Sequence, residues 1–299
     1  MQDARTVLDD PALAERLARL GLRPDDVADA LGGAAAVRSS PAALAEVDRL
    51  ADALRRTVGH FPGEPDHDPF PDHDGQADPH GVGVLALWAL VVTAPDLVAF
   101  HRGRGVPDDV SAATLRELGQ QLHVHRLTFG GFGLHTYGWL AHTWSGSLYW
   151  LGRLQFNLEL LAEGRVCSTH IPRSGPLDPA SVDQAFARAA QFFPTHFPDR
   201  PVTDFWCRSW LLDPTLAAAL DPASNMARFQ SRWRLYGEAM PGDDDALFFC
   251  FARRGAVDPA TLPRETSLQR AILDRWAAGG HWSVRDGRLP LAGAAEVAR

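Results

Sequence analysis

Apolar positions recur at helical spacing through the first sixty residues. Leu13, Leu17 and Leu20 lie about one turn apart, Gly32-Gly33 interrupts the pattern, and Ser40-Pro41 opens an amphipathic helix over residues 42–58. Residues 61–80, FPGEPDHDPFPDHDGQADPH, hold too much Pro, Asp and His for regular structure and read as a long surface loop. A buried helix is expected at about 82–101. Asp108-Asp109 starts another that runs to about Leu127, and the glycines from Gly130 to Gly133 end it.

From Tyr137 the pattern is read with a period of two. Leu154, Phe156, Leu158 and Leu160 alternate with Arg153, Gln155, Asn157 and Glu159, which predicts a half-buried strand. Glu163-Gly164 is a two-residue turn into a second strand, 165–171. Asp178-Pro179 opens a helix to about Phe193, and a strand follows at 203–212. Ser224-Asn225 enters a short helix, and a hairpin across Gly242 joins strands at 235–240 and 247–252. A last helix spans about 266–278, and Asp286-Gly287 suggests a terminal β-turn. The expectation is an all-helical domain over 1–135 and an α/β domain with a mixed sheet and flanking helices over 136–299.

Composition narrows the partners. With 45% apolar and 22% charged side chains in 299 residues, the chain is globular and large enough for two ordinary domains. A net charge of −8, without a basic run interleaved with aromatics, argues against nucleic acid. Three widely spaced cysteines suit a reducing compartment. The acidic start MQDARTVLDD lacks the basic and apolar regions of a signal peptide, and the apolar run near Val82–Val92 is too short to span a bilayer. A cytoplasmic monomer or homodimer without a membrane partner is expected. The loop residues Asp66, His67, Asp68, Asp72, His73, Asp74 and His80 have neither zinc nor calcium spacing, so no metal is expected.

The strongest signals are short motifs: LGRLQF (151–156), HIP (170–172), GPLDP (175–179), FFPTHFP (192–198), CRSWLLDP (207–214), SN (224–225) and LPRETSLQRA (262–271), with HRGRGVP (101–107) upstream. Over roughly residues 90–285 these segments resemble bacterial GNAT-like acyltransferases that carry a helical N-terminal N-acyltransferase domain. The resemblance implies transfer of an acyl group from acyl-CoA, as co-substrate, to a small amine or hydroxyl acceptor. It also implies that two parallel strands splay apart to admit the thioester, and that the turn after the first of them holds the CoA diphosphate on backbone amides. By position that turn is Ile171, Arg173, Ser174, Gly175 and Leu177, with Asn225 opening a later cofactor-binding helix. Such enzymes often protonate the thiolate with a tyrosine, which makes Tyr236 the candidate acid, although it falls later in the chain than is usual there.

Acyl transfer needs a base for the acceptor and an acid for the leaving thiolate. The ordinary imidazole pKa, ~6.5, makes His170 the first base candidate and Glu159 the second. Cys207 is a conceivable thiol nucleophile. Arg153 suits a substrate carboxylate, Gln155 and Asn157 share the polar strand face with Glu159, Ser209 shares a face with Cys207, and His142 lies where an acceptor pocket would form. A hydrolase or decarboxylase of an acyl substrate on the same fold, or a non-catalytic binding protein, stays open at this level.

Overall fold

The structure, a computed structural model, describes residues 2–67 and 77–291. Backbone proximity divides the chain into two units, Met1–Trp150 with Asn157–Glu163, and Leu151–Phe156 with Gly164–Arg299. Asp68, Asp72, His73 and Asp74 of the acidic histidine loop lie outside the described residues.

The first unit is built on helices: α1 (Ala4–Leu8), α2 (Leu13–Arg19), α3 (Pro24–Ser39), α4 (Pro41–Thr57), α5 (Val84–Gly103), α6 (Asp108–Leu115), α7 (Glu117–Phe129) and α8 (Tyr137–Trp144). A small antiparallel hairpin, β1 (Ala77–Asp78) with β2 (Gly81–Val82), precedes α5. Helix α4 starts where Ser40 accepts a hydrogen bond from the Ala43 amide. Its buried stripe is Leu44, Val47, Leu50, Ala51 and Leu54, at helical spacing. Helix α5 is buried on every side from Val84 to Ala94 and touches α1, α4, α6 and α8.

Three expectations are corrected in this unit. The run from Val84 passes through Pro95 and reaches Gly103, so by length and composition α5 is long enough to cross a bilayer. Burial of Val91, Val92 and Ala94 before the proline and Leu97 after it holds the two halves in one helix, although Pro95 removes a donor. The single helix expected from Asp108 is two, broken at Arg116. Residues 137–144 form a helix and not the start of a strand region. The buried positions Tyr137, Leu140, Ala141 and Trp144 follow a period of 3.6, and the Trp144 indole donates to the Leu90 carbonyl (3.1 Å).

Gly119 of α7 is a test of the packing. A Cβ there would stand 1.9 Å from the Gly21 carbonyl oxygen, while the Gly119 amide donates to the Leu20 carbonyl (3.1 Å). Gly119→Ala is expected to cost about 1–3 kcal/mol, because backbone overpacking outweighs the helix-propensity gain of ~1 kcal/mol. Thermal unfolding measures it; an unchanged or raised midpoint would show that the contact yields without cost.

Six strands form one mixed sheet in the order β3-β4-β5-β6-β8-β7. They are β3 (Leu148–Leu151), β4 (Leu154–Leu161), β5 (Gly164–His170), β6 (Asp204–Ser209), β7 (Arg234–Pro241) and β8 (Ser283–Pro290). The second unit adds α9 (Pro179–His196), α10 (Pro214–Ala219), α11 (Asn225–Gln230), α12 (Asp243–Phe251) and α13 (Ser267–Ala277). Two corrections apply. Residues 247–252, expected as the second strand of a hairpin, instead continue helix α12 (Asp243–Phe251) and its cap, and the segment around Asp286-Gly287, expected as a turn, lies within strand β8.

Registered partners sort the sheet residues by face. Ser168 lies opposite Trp206, Trp206 opposite Arg288, and Arg208 opposite Asp286, which in turn faces Tyr236. The other face carries Cys167, Phe205 and Cys207, and here Phe186 of α9 packs edge-on against Phe205 (4.9 Å) and Phe156 (5.6 Å). At the far end, Trp210, Leu247, Phe251, Ile272, Trp282 and Val284 form a second core beneath α12 and α13.

Candidate active site

Among the described residues, the parallel strands β5 and β6 are registered at Cys167↔Phe205 and Ser168↔Trp206. Strand β6 stays paired with β8 as far as Ser209↔Arg285, and β5 continues to His170. Registered pairing of β5 with β6 thus ends at Ser168 and Trp206 while both strands run on. His170 ends β5 at this point, half-buried, two residues beyond Ser168 and so on the face of Trp206, Arg208 and Tyr236.

That face is polar. The Arg208 guanidinium donates to both Asp286 carboxylate oxygens (2.8 and 3.0 Å) and lies 5.1 Å from the Trp206 ring. Arg288 lies 5.2 Å from the ring of half-buried Tyr236. The register thus brings His170 and Tyr236 to one face and puts Cys207 and Ser209 on the opposite one. Burial pushes the Cys207 thiol well above its ordinary range, with Asp286 adding to the effect, so it stays protonated and lacks the thiolate a nucleophile requires. The Ser209 hydroxyl accepts from the Leu211 amide (3.1 Å). Gln155 is buried.

The turn after β5 is fastened from below. Gly152-Arg153 makes a two-residue connection between β3 and β4, with Gly152 at φ +86°, and projects the arginine beyond the sheet. Its guanidinium donates to the carbonyls of Pro172 (3.1 Å), Gly175 (2.6 Å) and Pro176 (2.8 Å) and to the Ser174 hydroxyl (3.3 Å). Arg153, expected to meet a substrate carboxylate, is thus engaged with this turn. Arg173, Ser174 and Gly175 are exposed; Leu177 is buried, and Ile171 packs on the far-end core. Burial pushes the Cys250 thiol up to about 12 against the opposing pull of Arg173, which places that arginine's charge near the end of α12. Asn225 is exposed at the first position of α11, behind the Ser224 cap.

In the first unit, Asn157 is buried and its amide donates to the Leu158 carbonyl (3.2 Å), while Glu159 is half-buried. His142 is half-buried in α8 with its ring 5.2 Å from Trp139, and burial pushes its pKa down to about 4, so it is neutral at pH 7. Its Nδ1 atom is buried without a hydrogen-bond partner. Among the described residues, no group of three or more His, Cys, Asp or Glu is placed to hold a metal ion.

Sequence reasoning missed Trp206, Arg208, Asp286 and Arg288. The alternation of large polar and aromatic side chains in WCRSW was the available signal for the first two. The β8 pair had no such signal once Asp286-Gly287 was read as a turn.

A fold of this kind, with helices ahead of a six-stranded mixed sheet that holds the parallel pair β5 and β6, is that of the GNAT-like acyltransferase class. Residues 11–146 match the N-acyltransferase N-terminal domain, and residues 148–289 match the GNAT-like C-terminal domain. Among solved structures, the chain is similar to an acyltransferase in complex with decanoyl-CoA and teicoplanin. The identity is 30%, the match covers 93% of this chain and 87% of that one, and the TM-score is 0.80. It is likewise similar to a mutant acyltransferase in complex with octanoyl-CoA, at 31% identity, 92% and 86% coverage and TM-score 0.82. A third similar structure is an acyltransferase with CoA and 10C-teicoplanin, at 30% identity, 93% and 87% coverage and TM-score 0.80. No match is found among curated proteins. The chain belongs to the GNAT-like N-acyltransferase family and is an acyl-CoA-dependent acyltransferase.

Proposed function

We propose that this protein transfers a medium-length acyl group, of the eight-to-ten-carbon class, from acyl-CoA to an amine or hydroxyl of a small-molecule acceptor, with teicoplanin-like glycopeptides the first acceptors to test. The single observation that carries the reading is the end of registered β5–β6 pairing at Ser168 and Trp206, from where both strands run on without each other. The octanoyl-CoA, decanoyl-CoA and teicoplanin complexes of the similar structures support the choice of donor and acceptor.

The pantetheine arm enters between the two strands, and strand-edge amides polarise the thioester carbonyl. The turn Ile171–Leu177 holds the diphosphate, and Asn225 serves the donor from α11. The acceptor nitrogen or oxygen attacks the carbonyl carbon and gives its proton to His170, with Glu159 as the second base. The C–S bond breaks, and the departing thiolate takes a proton from Tyr236. Gln155 and Asn157, on β4 beside β5 in the sheet, contribute to the acceptor side. The three cysteines, free in the structure, suit a reducing cytoplasm.

Free-thiol release from acyl-CoAs of two to sixteen carbons, with and without acceptor, tests the reading. The expected outcome is an acceptor-dependent rate that peaks at eight to ten carbons. Equal thiol release without acceptor would make the protein a thioester hydrolase and overturn the proposal.

A further inference from the structure

We propose that Arg153 is a positioning residue that sets the 172–176 turn for the diphosphate of the donor, a task that the start of helix α9 does not perform alone. The inference rests on the acyl-CoA reading and assigns the origin of its phosphate contacts.

Helix α9 begins in a way that leaves little for an anion. Pro179 at its first position has no N–H, the Asp178 carboxylate accepts from the Ser181 amide (3.0 Å), and the Val182 amide donates to the Asp178 carbonyl (3.0 Å). The Asp178 capping carboxylate also brings negative charge to the site where a phosphate would gain from the helix dipole.

Arg153 changes the balance in two ways. It places a permanent cation beneath the turn. It also draws the carbonyls of Pro172 and Pro176 toward its guanidinium. Across a trans peptide the following N–H points opposite the carbonyl, so the amides of Arg173 and Leu177 are turned away from Arg153, toward the outer side of the turn. The bond to the Gly175 carbonyl fixes a residue at φ +131°, a conformation open to glycine. A planar fork that meets four acceptors at once is the feature that distinguishes arginine here from a simple positive charge.

The experiment compares two donors on each variant: an acyl-CoA, and the same acyl group on pantetheine, which lacks the diphosphate and nucleotide. For Arg153→Met, KM for acyl-CoA is expected to rise about tenfold or more with kcat nearly unchanged, while KM for the pantetheine thioester stays within about twofold. Arg153→Lys, which retains charge without the fork, is expected to recover only a minor part of the loss. KM does not depend on the fraction of protein folded, so a poorly folding variant remains informative, and Arg153→Gln gives a second, polar replacement. Equal KM changes for both donors, or full recovery by lysine, would overturn the positioning role. A wild-type enzyme that does not prefer acyl-CoA over the pantetheine thioester would instead remove the reading of the turn as a diphosphate site.

Discussion

Replacement of His170 by alanine is expected to lower kcat by about 10²-fold or more, the range that a positioned general base contributes. The expectation follows from register. Ser168 is the last β5 residue registered with β6, and His170 lies two residues on, on the face that also holds Trp206, Arg208 and Tyr236. A base there meets an acceptor arriving from the polar side of the sheet. KM for acyl-CoA is expected to change little, since the turn that follows is the proposed seat of the donor's phosphates. The thermal midpoint should move by only a few degrees, because a half-buried strand-end side chain carries little of the core. Steady-state kinetics with a saturating acceptor give the answer. A loss of less than about fivefold would be too small for general-base catalysis and would transfer the role to Glu159, for which Glu159→Gln is the matching variant.

Segments whose local chemistry and tertiary role agree were legible in the sequence. Helix α9 was readable from Asp178-Pro179, and its cap is present; helix α13 was readable from Thr266, which forms a reciprocal capping box with Gln269. The period of two in 154–160 announced β4. Where the reading failed, short-range signals competed. The run Leu247–Phe251 is apolar on consecutive positions, and periodicity alone does not tell a short buried strand from a buried helix. The overlooked clue was Asp243-Asp244-Asp245, three acids in the first turn of α12, where the helix dipole favours them.

Gly287 misled for a different reason. Its glycine serves close packing and not a turn: a Cβ there would stand 2.9 Å from the Trp233 Cβ and 3.0 Å from Leu212 Cδ1, contacts that no local rule foresees. The candidate site divides in the same way. Its strand-borne members could be placed by alternation once the strands were known. The duty of Arg153 could not, because its partners lie about twenty residues away in a turn whose path depends on the tertiary fold.

Asp213→Ala is expected to destabilise the second unit by about 3–5 kcal/mol, the cost of stranding buried partners of a charged group. The sequence reading passed over this residue, which stands next to last in CRSWLLDP. It is buried, and its carboxylate works on both sides. One oxygen accepts from the Thr215 amide (2.8 Å) and hydroxyl (2.7 Å), capping α10, and the other accepts from the Ser283 amide and hydroxyl (both 2.8 Å). Ser283 opens β8, the strand between β6 and β7, so the carboxylate ties the end of one element to the start of a central strand 70 residues away. Alanine leaves four donors without this acceptor and loosens the edge of the core at Trp210 and Trp282. Burial alone would raise the carboxyl pKa, but the hydrogen bonds from Thr215 and Ser283 outweigh it and hold the value below the ordinary carboxylate range. A depressed folded value means that the charged form favours the folded state. This contribution is complete above the unfolded value of about 4 and is lost as pH falls through the folded one. The gap in thermal midpoint between wild type and Asp213→Ala should therefore be wide at pH 7 and narrow as pH drops below about 4. A gap that stays constant from pH 7 to pH 3 would show that neutral packing, and not the charge on Asp213, holds β8 in place.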